Sequence, residues 1–196
     1  MKIGLIGAGR LGLCLALLMD KAGYSVIASD VREDYIKGLQ MGEVTTTEPL
    51  VGQYLDSARR IEFTTDNLRV IEESDIIFTL VLTPSLENGS YDVSNVDDVV
   101  SDILKYGWDK DLSNKSLVIG CTNNPGDCDF FQDRLSETGI SVFYNPEFIA
   151  QGSIIKDLQN ADMVLLGGDG KHKGNLVNIY KKIQYGYREP SIHLMS

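Results

Sequence analysis

The opening run KIGLIGAGRLG, Lys2 to Gly12, places a short apolar strand directly before three glycines at fixed offsets. The glycines serve different ends: Gly7 makes the tight turn, Gly9 lets backbone approach a pyrophosphate, and Gly12 lets a helix pack closely on the strand. A side chain at Gly9 would push phosphates away. The following helix, read as Leu11 to Ala22, is apolar on nearly every side, so it is expected to be buried with its positive N-terminal end facing an anion. A second strand, Ser25 to Ser29, ends in Asp30, about 20 residues downstream, where an acid meets the adenosine ribose of a dinucleotide. Asp30 would accept hydrogen bonds from ribose hydroxyls and repel a 2′-phosphate, which favours NAD over NADP, with Arg32 nearby as the opposing charge. Gly7, Gly9, Arg10, Leu11, Gly12 and Asp30 are therefore the first cofactor-binding candidates.

Short apolar strands bounded by polar turns recur at Lys2 to Gly7, Ser25 to Asp30, Ile61 to Thr64, Asp75 to Leu82, Ser116 to Cys121, Ser141 to Tyr144 and Met163 to Leu166. Most are separated by helical segments. The clearest helix is Asn95 to Tyr106, where Val96, Val99, Val100, Ile103 and Leu104 form one stripe and Ser94 with Asp97 resembles a capping box. Another is expected to begin at Pro49, a favoured first helical position, and to turn Leu50, Val51, Tyr54 and Leu55 inward. Strands that are apolar throughout, alternating with helices, predict an α/β fold: a doubly wound parallel sheet, Rossmann-like, covered on both faces. The longest evident loop is the polar stretch Ser85 to Tyr91.

A chain of 196 residues suits one domain. Its net charge of -10, with no basic cluster, argues against nucleic acid or an anionic membrane as partner, since both call for cationic surface. No apolar run approaches the ~20 residues that span a bilayer, and the N-terminus begins a strand rather than a leader, so a cytoplasmic location is expected. Cys14, Cys121 and Cys128 are irregularly spaced, which suits a reducing compartment better than a disulfide framework or a zinc site. With His172 and His193 as the only histidines, no metal site is expected.

In such a sheet, ligands lie beyond the carboxyl ends of the strands. Three strand ends carry unusual sequence: Leu82-Thr83-Pro84, Cys121-Thr122-Asn123-Asn124-Pro125-Gly126, and Asn145-Pro146-Glu147-Phe148-Ile149-Ala150-Gln151-Gly152. Thr83 and Thr122 offer hydroxyls, and Glu147 and Gln151 put a carboxylate and an amide at the same edge. The two X-Pro pairs are also common turn formers. A carboxylate at that edge can position a water or bind a substrate hydroxyl. Cys121 would need a lowered thiol pKa to act as a nucleophile, and the sequence supplies no partner for that; an inert, buried role is expected for all three cysteines.

Taken together these segments resemble the N-terminal NAD-binding domain of the UDP-glucose/GDP-mannose dehydrogenase family. The resemblance covers essentially the whole chain and rests on GAGRLG, Asp30, Glu48-Pro49-Leu50, Leu82-Thr83-Pro84, Cys121-Thr122 through Pro125-Gly126, and above all the NPEF segment, Asn145 to Phe148. It implies a reaction in which two NAD molecules in succession oxidise the primary alcohol of a nucleotide sugar to a carboxylate, through a thioester on a catalytic cysteine. By motif position, Leu11, Asp30, Thr83 and Thr122 would contact NAD, and Thr122, Glu147 and Gln151 would lie at the catalytic centre. Gln151 stands where the family usually has a second glutamate, and an amide cannot act as a general base. Asn124 replaces one of two usual prolines.

The family's catalytic cysteine lies in a later glycine-histidine-cysteine motif, which these residues do not include. Residues 1–196 are accordingly expected to be the cofactor domain of a longer enzyme or a naturally short relative, with about 185–196 leading toward a central helix, able to bind NAD without turnover. The full-length protein would be a homodimer with a nucleotide-sugar substrate, UDP-glucose by default, with UDP-N-acetyl-hexosamines and GDP-mannose open. A non-catalytic NAD sensor or regulatory module is the alternative from another class. A β-hydroxyacid-type dehydrogenase shares the cofactor fold, but the NPEF segment argues against it.

Overall fold

The computed structural model describes residues 1–187 and 191–195. Along the chain it forms β1 (Lys2–Ile6), α1 (Arg10–Lys21), β2 (Ser25–Ser29), α2 (Glu33–Gln40), α3 (Val51–Ser57), β3 (Ile61–Thr64), α4 (Asn67–Glu73), β4 (Ile76–Thr79), α5 (Ser94–Tyr106), β5 (Ser116–Ile119), α6 (Asp127–Leu135), β6 (Ser141–Tyr144), α7 (Ile154–Gln159), β7 (Val164–Gly167), α8 (Lys173–Ile183) and β8 (Ile192–Met195). Among the described residues the strands make one eight-stranded sheet in the order β3-β2-β1-β4-β5-β6-β7-β8.

Strand side chains alternate between two apolar layers, which is why these strands read as continuous hydrophobic runs. Ile3, Leu5, Ile76, Phe78, Val118 and Phe143 join the core beneath α1, α2, α3, α7 and α8. Ile77, Leu117, Ile119 and Val142 face the opposite way, into a core closed by α4, α5 and α6. Helix α1 sits deepest: from Gly12 through Asp20 every residue is buried. Its first turn reaches the sheet because Gly12 has no side chain; a Cβ there would lie 2.1 Å from the Gly7 carbonyl oxygen. Gly7 itself has φ +97°, and a Cβ on it would meet the Leu80 carbonyl at 2.6 Å.

The sheet departs from the fully parallel expectation at its far side. β7 runs antiparallel to β6 and touches it through one pair, Tyr144 opposite Gly167. Residues 145–163 connect them and carry the six-residue α7. An eighth strand follows: Ile192 to Met195 pairs in parallel with Val164 to Gly167. Thus the segment 185–196, expected to lead toward a helix, contributes a strand first; residues 188–190 and 196 lie outside the described residues.

Two local expectations are also corrected. Helix α3 starts at Val51 rather than at Pro49, because Leu50 takes a left-handed conformation (φ 71°) and breaks the turn between them. The Ser94/Asp97 capping box does not form. Asp92 instead accepts the Ser94 N–H at 3.0 Å, and the Asp97 carboxylate is engaged by Arg134 of α6.

The two loop glycines predict opposite responses. Gly12→Ala is expected to lower unfolding free energy by about 3 kcal/mol or more, since rigid backbone blocks the added methyl. Gly9→Ala, with nothing within 4 Å of its Cβ position, is expected to stay within about 1 kcal/mol of the parent chain. Urea denaturation of both variants checks this.

Candidate functional site

The carboxyl ends of β1, β2, β4, β5 and β6 open into one cleft of about 830 Å³. From the β1 side come Gly7, Gly9, Arg10 and Leu11, from β2 Asp30 and Arg32, from β4 Thr83, from β5 Cys121 and Thr122, and from β6 Glu147 and Gln151. All the sequence-derived site residues line it except Gly12, whose part is to seat the helix. The glycine loop is held in place by Gly7 and Ala8, whose N–H groups both donate to Ser29 O, at 2.9 and 2.8 Å. Beyond it, the space at Gly9 is open and the N-terminus of the twelve-residue α1 meets the cleft. That combination suits a diphosphate.

Asp30 is buried at the end of β2 and gripped by a fork: Arg32 Nε donates to Oδ1 and Nη2 to Oδ2, each at 2.8 Å. The Arg32 guanidinium also lies 4.2 Å from the centre of the Tyr35 ring. Burial by itself would raise the Asp30 carboxyl, but the hydrogen bonds and charge of Arg32 outweigh it and hold the group below its ordinary range. A carboxylate has about four lone-pair sites, so the fork orients Asp30 and leaves acceptor capacity for hydroxyls.

On the other side of the cleft, Asn95 Nδ2 donates to Leu82 O at 2.8 Å and fixes the turn that carries Thr83. Asn124, the departure from a proline, joins two loops: it accepts Tyr91 N–H at 2.7 Å and donates to Tyr91 O at 3.0 Å. Burial pushes the thiols of Cys14 and Cys121 up to about 12. Neither is a thiolate at neutral pH, which matches the inert role expected of them.

The β6 end supplies the acid. Asn145 is buried at the point where the β6–β7 ladder stops, and its Nδ2 donates to Leu165 O at 3.0 Å in place of a backbone bond. Two residues on, Glu147 lies partly exposed to the cleft but packed within protein, beside the hydroxyl of Tyr180 from α8. Burial pushes Glu147 up to about 7. Gln151 is exposed and its Oε1 accepts from Arg10 Nη1 at 2.6 Å, so the amide spans the cleft mouth to the glycine loop. Sequence reasoning missed Glu48 as a support for this loop: its buried carboxylate accepts Gly152 N–H at 2.8 Å and Ile154 N–H at 3.2 Å, anchoring both the Gln151 turn and the start of α7. It missed Tyr180 as well.

The site therefore offers a dinucleotide cradle joined to a carboxyl group near neutrality, without a reactive thiolate at Cys14 or Cys121. Comparison with known proteins points the same way. The family described as "UDP-glucose/GDP-mannose dehydrogenase family, NAD binding domain" matches residues 1–184. UDP-glucose 6-dehydrogenase of Rickettsia prowazekii is 31% identical over 182 residues, covering 90% of this chain and 41% of the relative. GDP-mannose 6-dehydrogenase of Pseudomonas aeruginosa is 27% identical, covering 93% of this chain and 44% of the relative. The crystal structure of a ternary complex of GDP-mannose dehydrogenase from that bacterium superposes with a TM-score of 0.85 at 27% identity, over 100% of this chain and 46% of that one. The chain thus spans less than half the length of these relatives.

Glu48→Ala is expected to cost about 2–4 kcal/mol, because two backbone donors lose a charged acceptor in a buried place. Unfolding curves, with faster hydrogen exchange at Gly152 and Ile154, check it. The raised Glu147 gives a pH signature of known sign. Between its ordinary 4.5 and about 7 the folded state binds more protons than the unfolded one, so this group's contribution to stability is full below that window and is lost as pH rises through it. Glu147→Gln should flatten that part of the stability-against-pH curve, measured by denaturation at successive pH values.

Proposed function

The chain belongs to the UDP-glucose/GDP-mannose dehydrogenase family as its NAD-binding domain, and from that premise we propose that it is the cofactor half of a nucleotide-sugar 6-dehydrogenase. The observation that carries this reading is the open space at Gly9, set between the N-terminus of α1 and the buried carboxylate of Asp30. In this reading the first amides of α1 and the loop hold the pyrophosphate, and Asp30, oriented by Arg32, accepts the ribose hydroxyls. Thr83 and Thr122 face the same cleft as hydroxyl contacts for the cofactor. When bound, NAD supplies the hydride acceptor.

The chain's own contribution to the chemistry is at Glu147, which can hold or accept a proton at neutral pH beside the substrate alcohol or a water. Gln151, tied to Arg10, can orient a hydroxyl but cannot remove its proton. The thioester step needs a thiolate; burial raises all three thiols, and Cys128 does not line the cleft, so in this reading the covalent step is made by residues other than these 196, which bind NAD without turnover. UDP-glucose is the proposed nucleotide-sugar substrate, in line with the relative from Rickettsia prowazekii; the GDP-mannose relative marks the competing choice. The Glu147 carboxyl in the cleft favours this reading over a purely regulatory NAD module.

Isothermal titration tests the cofactor assignment. NAD is expected to bind more tightly than NADP, Asp30→Ala to abolish that preference, and Gly9→Val to weaken NAD at least about tenfold, a loss of about 1.4 kcal/mol. Equal binding of both nucleotides by the parent chain would overturn the role given to Asp30.

A further inference from the structure

Tyr180 belongs to no part of the cofactor cradle, yet its hydroxyl, on a side chain 1% exposed, lies within hydrogen-bond reach of both Asn145 Oδ1 and Glu147 Oε1. The orientation of Asn145 is fixed, because its Nδ2 donates to Leu165 O at 3.0 Å; the atom it turns toward Tyr180 is an acceptor and nothing else. A tyrosine hydroxyl carries one proton. It can serve Asn145 or Glu147 at any moment, but not both.

The hydrogen bonds close in one protonation state. If Glu147 is ionised, its carboxylate and the Asn145 carbonyl compete for a single proton, and one of them loses its donor where Asn145 is also 1% exposed. A buried acceptor without a donor is costly. If Glu147 carries a proton, every group is paired: Glu147 O–H donates to Tyr180 Oη, Tyr180 O–H to Asn145 Oδ1, and Asn145 N–H to Leu165 O. We propose that Tyr180 is a positioning residue whose hydroxyl follows the protonation of Glu147: it serves Asn145 while Glu147 is a carboxylic acid and turns to Glu147 when that proton is lost.

The surroundings agree. The other titratable groups lining the cleft are Arg10, Asp30, Arg32, Asp98 and Cys121. Arg10 donates to Gln151, Arg32 is committed to Asp30, Asp98 is exposed on α5, and Cys121 is held protonated. On α8 the neighbouring Lys181 is exposed and Lys182 lies over the Tyr24 ring. Among the described residues no ion pair includes Glu147. Burial raises Glu147 and outweighs the lowering by the Tyr180 hydrogen bond, and burial with the adjacent Glu147 raises Tyr180 well above its usual range, so the hydroxyl keeps its proton while the carboxyl titrates. As an acid, Glu147 donates a hydrogen bond to a substrate oxygen; as a carboxylate it accepts one from a hydroxyl or water. This deepens the proposed function and rests on that reading only for the identity of the substrate.

The test is carbon-13 NMR of the 196-residue chain, without cofactor, labelled at Glu and Tyr side chains. The Glu147 carboxyl signal is expected to titrate near neutrality and the Tyr180 Cζ signal to move through the same midpoint. In Tyr180→Phe the carboxylate loses its donor while the burial remains, and the Glu147 midpoint is expected to rise further above the ordinary 4.5. A hydroxyl that stayed on Asn145 in both protonation states would leave the midpoint where it was, so an unchanged or lowered midpoint overturns the proposal. If the variant does not fold, the parent chain decides: a Tyr180 signal that ignores the Glu147 titration overturns it equally. Because no nucleotide is present, failure here leaves the cofactor assignment standing, and failure of NAD to bind leaves this result untouched.

Discussion

The contact on which the site depends is the one between Gly12 and the carbonyl of Gly7. Two glycines let the first turn of α1 sit against the end of β1 at a distance that no side chain permits. That seat fixes where α1 points, and α1 in turn is the most deeply buried helix, packed among α3, α7 and α8. Move it outward and the anion-facing amides, the open space at Gly9 and the bond from Arg10 to Gln151 are displaced together. The energetic cost of omitting two side chains is offset by burial of Leu13, Leu15, Leu17 and Leu18, whose contribution is about 1.5–3 kcal/mol each.

Around that seat the cleft is assembled by ties between segments far apart in sequence. Glu48 holds the turn after Gln151, Asn124 holds the loop at Tyr91, and Tyr180 holds Glu147. In each of these ties a buried or half-buried side chain satisfies polar groups of the loops beyond the strand ends. Parallel strands stop abruptly there, and backbone donors and acceptors need partners. The same edge that needs such partners is where ligands bind.

Much of this was legible in the sequence because it is written locally. The glycine spacing, the apolar strands, Asp30 after the second strand and Glu147 after the sixth each depend on neighbours within a few residues, and the structure brings them to one cleft. What was hidden involves distant pairs. Nothing near Glu48 signals that it accepts hydrogen bonds from Gly152 and Ile154, and nothing near Glu147 signals Tyr180. The direction of β7 and the pairing of β8 to it are set by contacts distant in sequence; neither strand has a periodicity that distinguishes it from a parallel strand or an irregular tail. The helix starts were misread for a related reason: Pro49 and Ser94 have favourable local chemistry, but Leu50 and Asp92 decide how α3 and α5 begin.

The central claim is that the glycine loop, Asp30 and the β4, β5 and β6 ends form one cofactor cleft whose acid is Glu147. A crystal structure of the chain grown with NAD tests it most directly. The result consistent with this account places the pyrophosphate against the amides at the start of α1, the adenosine ribose at Asp30 and the nicotinamide toward Glu147. A nucleotide bound elsewhere, or one whose nicotinamide end turns away from the β6 edge, would contradict it.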